Sequence, residues 1–141
     1  VVTHELESVA DGCRKVARLL NRRLSKQADF HPTGATELAE YFGNVLDFLR
    51  FNHDCLTGAA GADSITIAKS MEKNLNKGRN RLRKLVRELL AEGADVRGEL
   101  IFLDAVRLLE QMGDRSYNVA QEIQSIWEDG FYPEPAGQPG T

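Results

Sequence analysis

Two carboxylates stand one helical turn apart in "LEQMGDRSYNVA", residues 109–120, within a long segment of helical periodicity. Glu110 and Asp114 therefore share a face, where like charges at i and i+4 repel. Gly113 beside them lowers helix propensity by about 1 kcal/mol relative to alanine. A second stretch, "LESVADGCRKVA" at residues 6–17, aligns with the first without gaps. Leu, Glu, Asp, Val and Ala recur at the same places, so Glu7 and Asp11 repeat the Glu-x-x-x-Asp spacing. Each copy puts a small residue, Ala10 or Gly113, just before its aspartate, which lets a neighbouring helix or a bound group come close to the backbone. A third segment, "MEKNLNKGR", adds Glu72 and Asn76, again four apart. Glu72 follows the apolar stripe residue Met71 as Glu110 follows Leu109, so on facing helices all four groups flank one seam. Clustered carboxylate and amide oxygens suit hard cations or oxo-bridged iron better than soft metals. Such a cluster would offset its own repulsion by binding a cation.

Each pair also has an ordinary reading as a solvated helix face. Arg107 can pair with Glu110, Lys15 stands four residues after Asp11 in the favourable orientation, and Lys69 and Lys73 can neutralise Glu72. His4, His31 and His53 fall in no ligand spacing and read as surface residues. No Glu-x-x-His occurs, which separates the chain from ferritin-like di-metal oxidases. With no nucleophile–base pair and no phosphate-cradling glycine loop, the expectation is a protein that is not an enzyme. The third helical segment has a basic outer face of Lys69, Lys73, Lys77, Arg79, Arg81, Arg83, Lys84 and Arg87. It reads as a solvated face, or as a contact for an acidic partner or an anionic membrane surface.

Four helical segments must position these groups. Apolar residues recur at 3 and 4 spacing over about Thr3–Lys26 (Leu6, Val9, Cys13, Val16, Leu20) and Ala35–Leu56 (Leu38, Phe42, Val45, Leu49). The third segment, about Ile65–Ala91, has Ala68, Met71, Leu75, Gly78, Leu82, Leu85 and Leu89. The fourth, about Gly98–Glu128, has Phe102, Ala105, Leu109, Met112, Ser116, Val119, Ile123 and Ile126. "DFHPTG" breaks the first from the second at Pro32 and Gly34, Asp63 or Ser64 caps the third, and Gly93 in "EGAD" closes it. Short connections make successive helices neighbours, so the fold class is all-α, an antiparallel bundle of four long helices. Residues 1–130 form the bundle domain. The Pro/Gly-rich residues 131–141 are expected to be disordered.

The 141 residues carry 18 bases and 21 acids, a net charge of −3 that speaks against nucleic-acid binding. Cys13 and Cys55 match no zinc or redox spacing and read as small buried residues of a reducing compartment. No apolar run reaches the ~20 residues of a membrane span. The chain starts with Val inside a helical pattern, which suggests a piece of a longer protein with a membrane part outside it.

The Leu-Glu-x-apolar-Gly-Asp pattern followed by Asn-apolar-Ala, with Glu-x-x-x-Asn on the preceding helix, resembles the PhoU family of phosphate-responsive proteins. The family's tandem three-helix units carry acidic motifs that in several members bind multinuclear iron or other metals. The resemblance makes residues 6–17 part of the last helix of a first unit, and residues 35–128 a complete second unit. It implies a metal site of Glu110, Asp114, Glu72, Asn76, Glu7 and Asp11, holding iron, manganese, magnesium or zinc. Arg115 departs from the family pattern, where His or a small residue is frequent, and would weaken an adjacent cation site; Gly12 after Asp11 is a second departure. PhoU-like units occur as free-standing signalling adaptors and as cytoplasmic domains of bacterial sodium/phosphate cotransporters. The single complete unit here favours the second: a regulatory domain on the cytoplasmic side of the inner membrane. Its partners would be the membrane-embedded transporter part of the same polypeptide, a second copy in a homodimer, and the anionic membrane surface.

Overall fold

The computed structural model describes residues 2–26, 28–58, 61 and 63–130; the 131–141 tail lies outside them. Four helices follow one another: α1 (Val2–Ser25), α2 (Pro32–Leu56), α3 (Ser64–Ala91) and α4 (Val96–Glu128). The all-α expectation holds, with boundaries displaced by at most three residues. The largest displacement is at α2, which starts at Pro32 rather than Ala35. Proline fits the first helical position because its missing N–H has no partner there anyway. His31 caps the turn, its Nδ1 accepting from the Thr33 N–H at 3.3 Å. Gly34, read as a breaker, is instead a buried helix residue lying against the Phe102 ring.

At the α3–α4 turn, Gly93 adopts φ +91°, where a side chain would be strained. The Ala94 N–H donates to the Leu89 carbonyl at 3.0 Å, closing α3 as glycine-terminated helices do. Asp95 then caps α4, accepting from the Arg97 N–H at 3.3 Å.

α4 is the centre of the fold. It packs against all three other helices, and α2 and α3 pack against each other. The helices α2, α3 and α4 thus form a closed three-helix unit around Tyr41, Val45, Phe48, Leu82, Phe102, Val106 and Leu109, all buried. α1 lies antiparallel on the remaining side of α4, with Gly12 against Met112 and Arg22 near Asp104. It makes no close backbone approach to α2 or α3.

The stripes of α3 and α4 fall largely as read from sequence, but those of α1 and α2 are rotated. α1 buries Glu5, Val9, Val16 and Leu19, while Leu6, Cys13 and Leu20 are exposed. α2 buries Leu38, Tyr41, Val45 and Phe48, while Phe42 is exposed and Leu49 half-buried. The free Cys13 is thus a surface residue, contrary to expectation, and Cys55 is buried as expected.

Candidate functional site

Gly113 explains how the acids of α4 meet α3. A Cβ on it would stand 2.8 Å from Leu75 Cδ1, so its absence lets α3 settle closely on α4. The two helices run antiparallel, and one turn beyond Leu75 this approach sets Arg79 against Glu110. Glu110, with its side chain only 17% exposed, accepts from Arg79 Nη1, and Arg83 Nη2 stands 3.5 Å from its other oxygen. The expected partner, Arg107, is turned towards Asp104 instead, at 4.0 Å.

Beneath this pair lies Tyr41 of α2. Its ring occupies the space left by Gly78, and a Cβ on that glycine would stand 3.0 Å from it. The residue is fully buried and its hydroxyl has no hydrogen-bond partner among the described residues. Burial, with Glu110 adding to it, pushes the phenol up to about 12. One neutral hydroxyl, two guanidiniums and one carboxylate thus meet where the three helices join.

Glu72 and Asp114 sit at the edge of this network. Desolvation first, and then Asp114, raises the Glu72 carboxyl above its ordinary range. Asp114 is raised by desolvation and by Glu110, against the pull of Arg79 and Arg115. Asn76 is half-buried one turn from Glu72. The α3 and α4 acids are therefore brought together as the spacing suggested, but two arginines stand among them.

The α1 pair does not join this cluster. Glu7 is exposed, and Asp11 is held below the usual carboxylate range by Lys15 at 3.0 Å and by Arg14. Asp11 does share a polar groove of about 330 Å³ between α1 and α4 with Asp114, Lys15, Arg115 and Asn118. The two aspartates of the sequence repeat therefore meet at one groove from opposite helices.

Several groups on which these contacts rest have no motif. Glu5 is buried and pairs with Arg115 at 3.4 Å, which ties α1 to α4 and gives Arg115 a structural partner. Asn52, also buried, donates from Nδ2 to the Ser116 carbonyl at 2.7 Å, joining α2 to α4. Glu99 is 2% exposed beneath the start of α2, and the His31 backbone N–H bonds to its carboxylate. Burial raises this carboxyl, and Glu99 Oε2 has no partner among the described residues. The one available signal was Glu5, which falls in register with Val9 and Val16.

As arranged, the donor set does not fit a hard cation. Glu110 is engaged by Arg79 and Arg83, and Asp11 by Arg14 and Lys15. Among the described residues no three acid, histidine or cysteine side chains converge on one point. The arrangement serves instead to lock α3 to α4 through a part-buried ion pair. No described helix is long and apolar enough to cross a membrane. No family model, curated protein or solved structure matches this chain.

Proposed function

We propose that the chain is a PhoU-like regulatory domain that acts by helix docking on a sodium-dependent phosphate transporter of the same polypeptide, at the cytoplasmic face of the inner membrane. One observation carries the reading. α1 makes its close backbone approach to α4 alone and still has a second apolar stripe, Leu6, Ala10, Cys13, Ala17, Leu20 and Leu24, exposed along its full length. These residues alternate in steps of 4 and 3, the spacing of a helix–helix seam. A last helix of a preceding unit would carry such a seam towards its own sister helices, and α2–α4 supply the complete unit that would follow. Regulation then consists of packing changes between the two units, passed to the transporter through the chain.

The acidic motifs have a part in this reading only if Arg79 and Arg83 leave Glu110. Metal-linked regulation therefore requires a rearrangement of α3 on α4. Elemental analysis of the purified chain beside Glu110→Ala and Asp114→Ala tests that arm: stoichiometric metal lost in both variants supports it, and none after reconstitution removes it. The docking reading is tested by sodium-dependent phosphate uptake in cells expressing the full gene product with and without this domain. Uptake that no longer responds to external phosphate in the deletion is the expected result. An unchanged response, or a gene product that moves no phosphate, defeats the proposal. A free-standing signalling adaptor is the second reading; a complete first unit and no membrane helices in the full product would select it.

A further inference from the structure

The charge of the molecule is segregated. Acids outnumber bases over the whole chain, 21 to 18, yet the cleft between α1 and α4 is strongly basic. This cleft, about 290 Å³, is lined by Lys15, Arg18 and Arg22 from α1 and Arg107 from α4. Asp104 is the one carboxylate on its wall, and Leu19 and Leu108 complete the lining. Across the ridge formed by Arg107 and Asp104, a second cleft of about 410 Å³ adds Arg83 and Arg87 from α3.

Asp104 is too loosely engaged to neutralise its neighbours. It stands 3.7 Å from Arg22 and 4.0 Å from Arg107, and all three side chains are about half exposed. Lys15 is shared with Asp11. Arg18 has no ion-pair partner among the described residues. The cations are placed by the fold: positions 15, 18 and 22 lie on one side of α1, and the antiparallel crossing brings position 107 opposite them. Like charges held over an apolar floor repel at reduced screening, and a multiply charged anion relieves that repulsion. Arginine forks present paired donors that match phosphate oxygens two at a time.

The span of the cations argues for more than one phosphate. Residues 15 to 22 extend about 10 Å along the helix axis, so linked phosphates can meet both ends where a single one meets one. No aromatic side chain lines the cleft, so it lacks the stacking platform of single-strand nucleic-acid grooves. A cleft between two helices admits a small anion between its walls, whereas a flat bilayer meets only its rims.

We propose that the α1–α4 cleft of Lys15, Arg18, Arg22 and Arg107 is a binding site for a soluble anion of two or more linked phosphates. The inference concerns binding alone and stands or falls separately from the transporter reading. The test is calorimetric titration of the chain with inorganic tripolyphosphate at about 0.15 M ionic strength, where exposed charges more than ~8 Å apart are screened. Arg18→Gln/Arg22→Gln removes two cations from the cleft, Arg107→Gln probes its other wall, and Lys69→Gln/Lys73→Gln removes two exposed charges elsewhere. Circular dichroism confirms that each variant folds. Expected are saturable one-site binding, a loss of at least about tenfold in the first two variants, and a change within about twofold in the third. Orthophosphate should bind more weakly than tripolyphosphate. No binding up to millimolar tripolyphosphate would overturn the assignment, as would equal weakening in the Lys69/Lys73 variant. Vesicles containing phosphatidylglycerol that bind more tightly than tripolyphosphate would also overturn it, making the face a lipid contact.

Discussion

At the scale of single residues, Glu110 shows how a site motif can serve structure. Its carboxylate is part-buried and bonded to Arg79, with Arg83 nearby. Removing one partner of such a pair leaves the other desolvated and unpaired, whereas replacing both with apolar groups can be nearly neutral. Arg79→Met should therefore destabilise the fold by about 1–3 kcal/mol, and Arg79→Met/Glu110→Leu should recover most of the loss. Urea denaturation of the wild type, both single variants and the double variant measures this; additive losses would deny the coupling. The acids also predict a pH dependence of definite sign. Glu72, Glu99 and Asp114 are all raised above 4.5, 4.5 and 3.8, their ordinary values. The folded state thus holds protons that the unfolded state releases, and their contribution to stability is lost as pH rises through the folded values. Asp11, lowered by Lys15 and Arg14, acts oppositely and only below its ordinary value of 3.8. Stability should accordingly rise as pH falls from neutrality through the folded values of these groups towards their ordinary ones, with a shallower slope in Glu99→Gln. Denaturant midpoints across that range decide it, and a Glu99→Gln slope equal to that of the wild type would remove Glu99 from the account.

At the scale of elements, the fold and the site were legible to different degrees. Helix number, type and order follow from 3-and-4 spacing and from breakers. The α3 and α4 stripes were readable because each of those helices has one apolar face. α1 and α2 are apolar over a wider arc than the bundle covers, so spacing alone could not say which edge turns inward. The 3-and-4 spacing runs through Leu6, Cys13 and Leu20 on α1 and Phe42 on α2, all of which lie exposed. Val16, Leu20, Leu38 and Phe42 line one apolar groove of about 230 Å³ between the two helices, so part of this misreading marks a single surface. Glu5 took an inward position because Arg115 of α4 reaches it, a pairing 110 residues apart that no local pattern reveals. The proximity of the α3 and α4 acids was likewise readable from heptad position, but the arginines between them were not, because Arg79 and Arg83 read as part of a solvated basic face. The rotation of the stripes makes a contrast that denaturation can check. Leu19→Ala on α1 and Phe48→Ala on α2 should each cost about 2–5 kcal/mol, as large-to-small changes in a packed core do. Leu20→Ser and Phe42→Ser should stay within about 1 kcal/mol in the monomer, as exposed positions do. The reverse ranking would restore the register read from sequence.

At the scale of the whole molecule, the exposed seam of α1 and the groove beside it form one apolar surface. A contiguous apolar surface on a folded domain marks a contact. A two-fold arrangement presents the same patch from both copies, and it can lay α1 of one copy beside α2 of its partner. A second copy of the chain can cover this face. The chain should therefore run as a concentration-dependent dimer in light scattering, and Leu20→Ser/Phe42→Ser should run as a monomer with unchanged helicity. Because the groove is lined by Val16, Leu20, Leu38 and Phe42, dimerisation should hold or strengthen as salt rises, whereas a charge-driven contact would weaken. A wild type that stays monomeric at every concentration, or dimers that come apart as salt rises, would deny that this apolar surface is the contact.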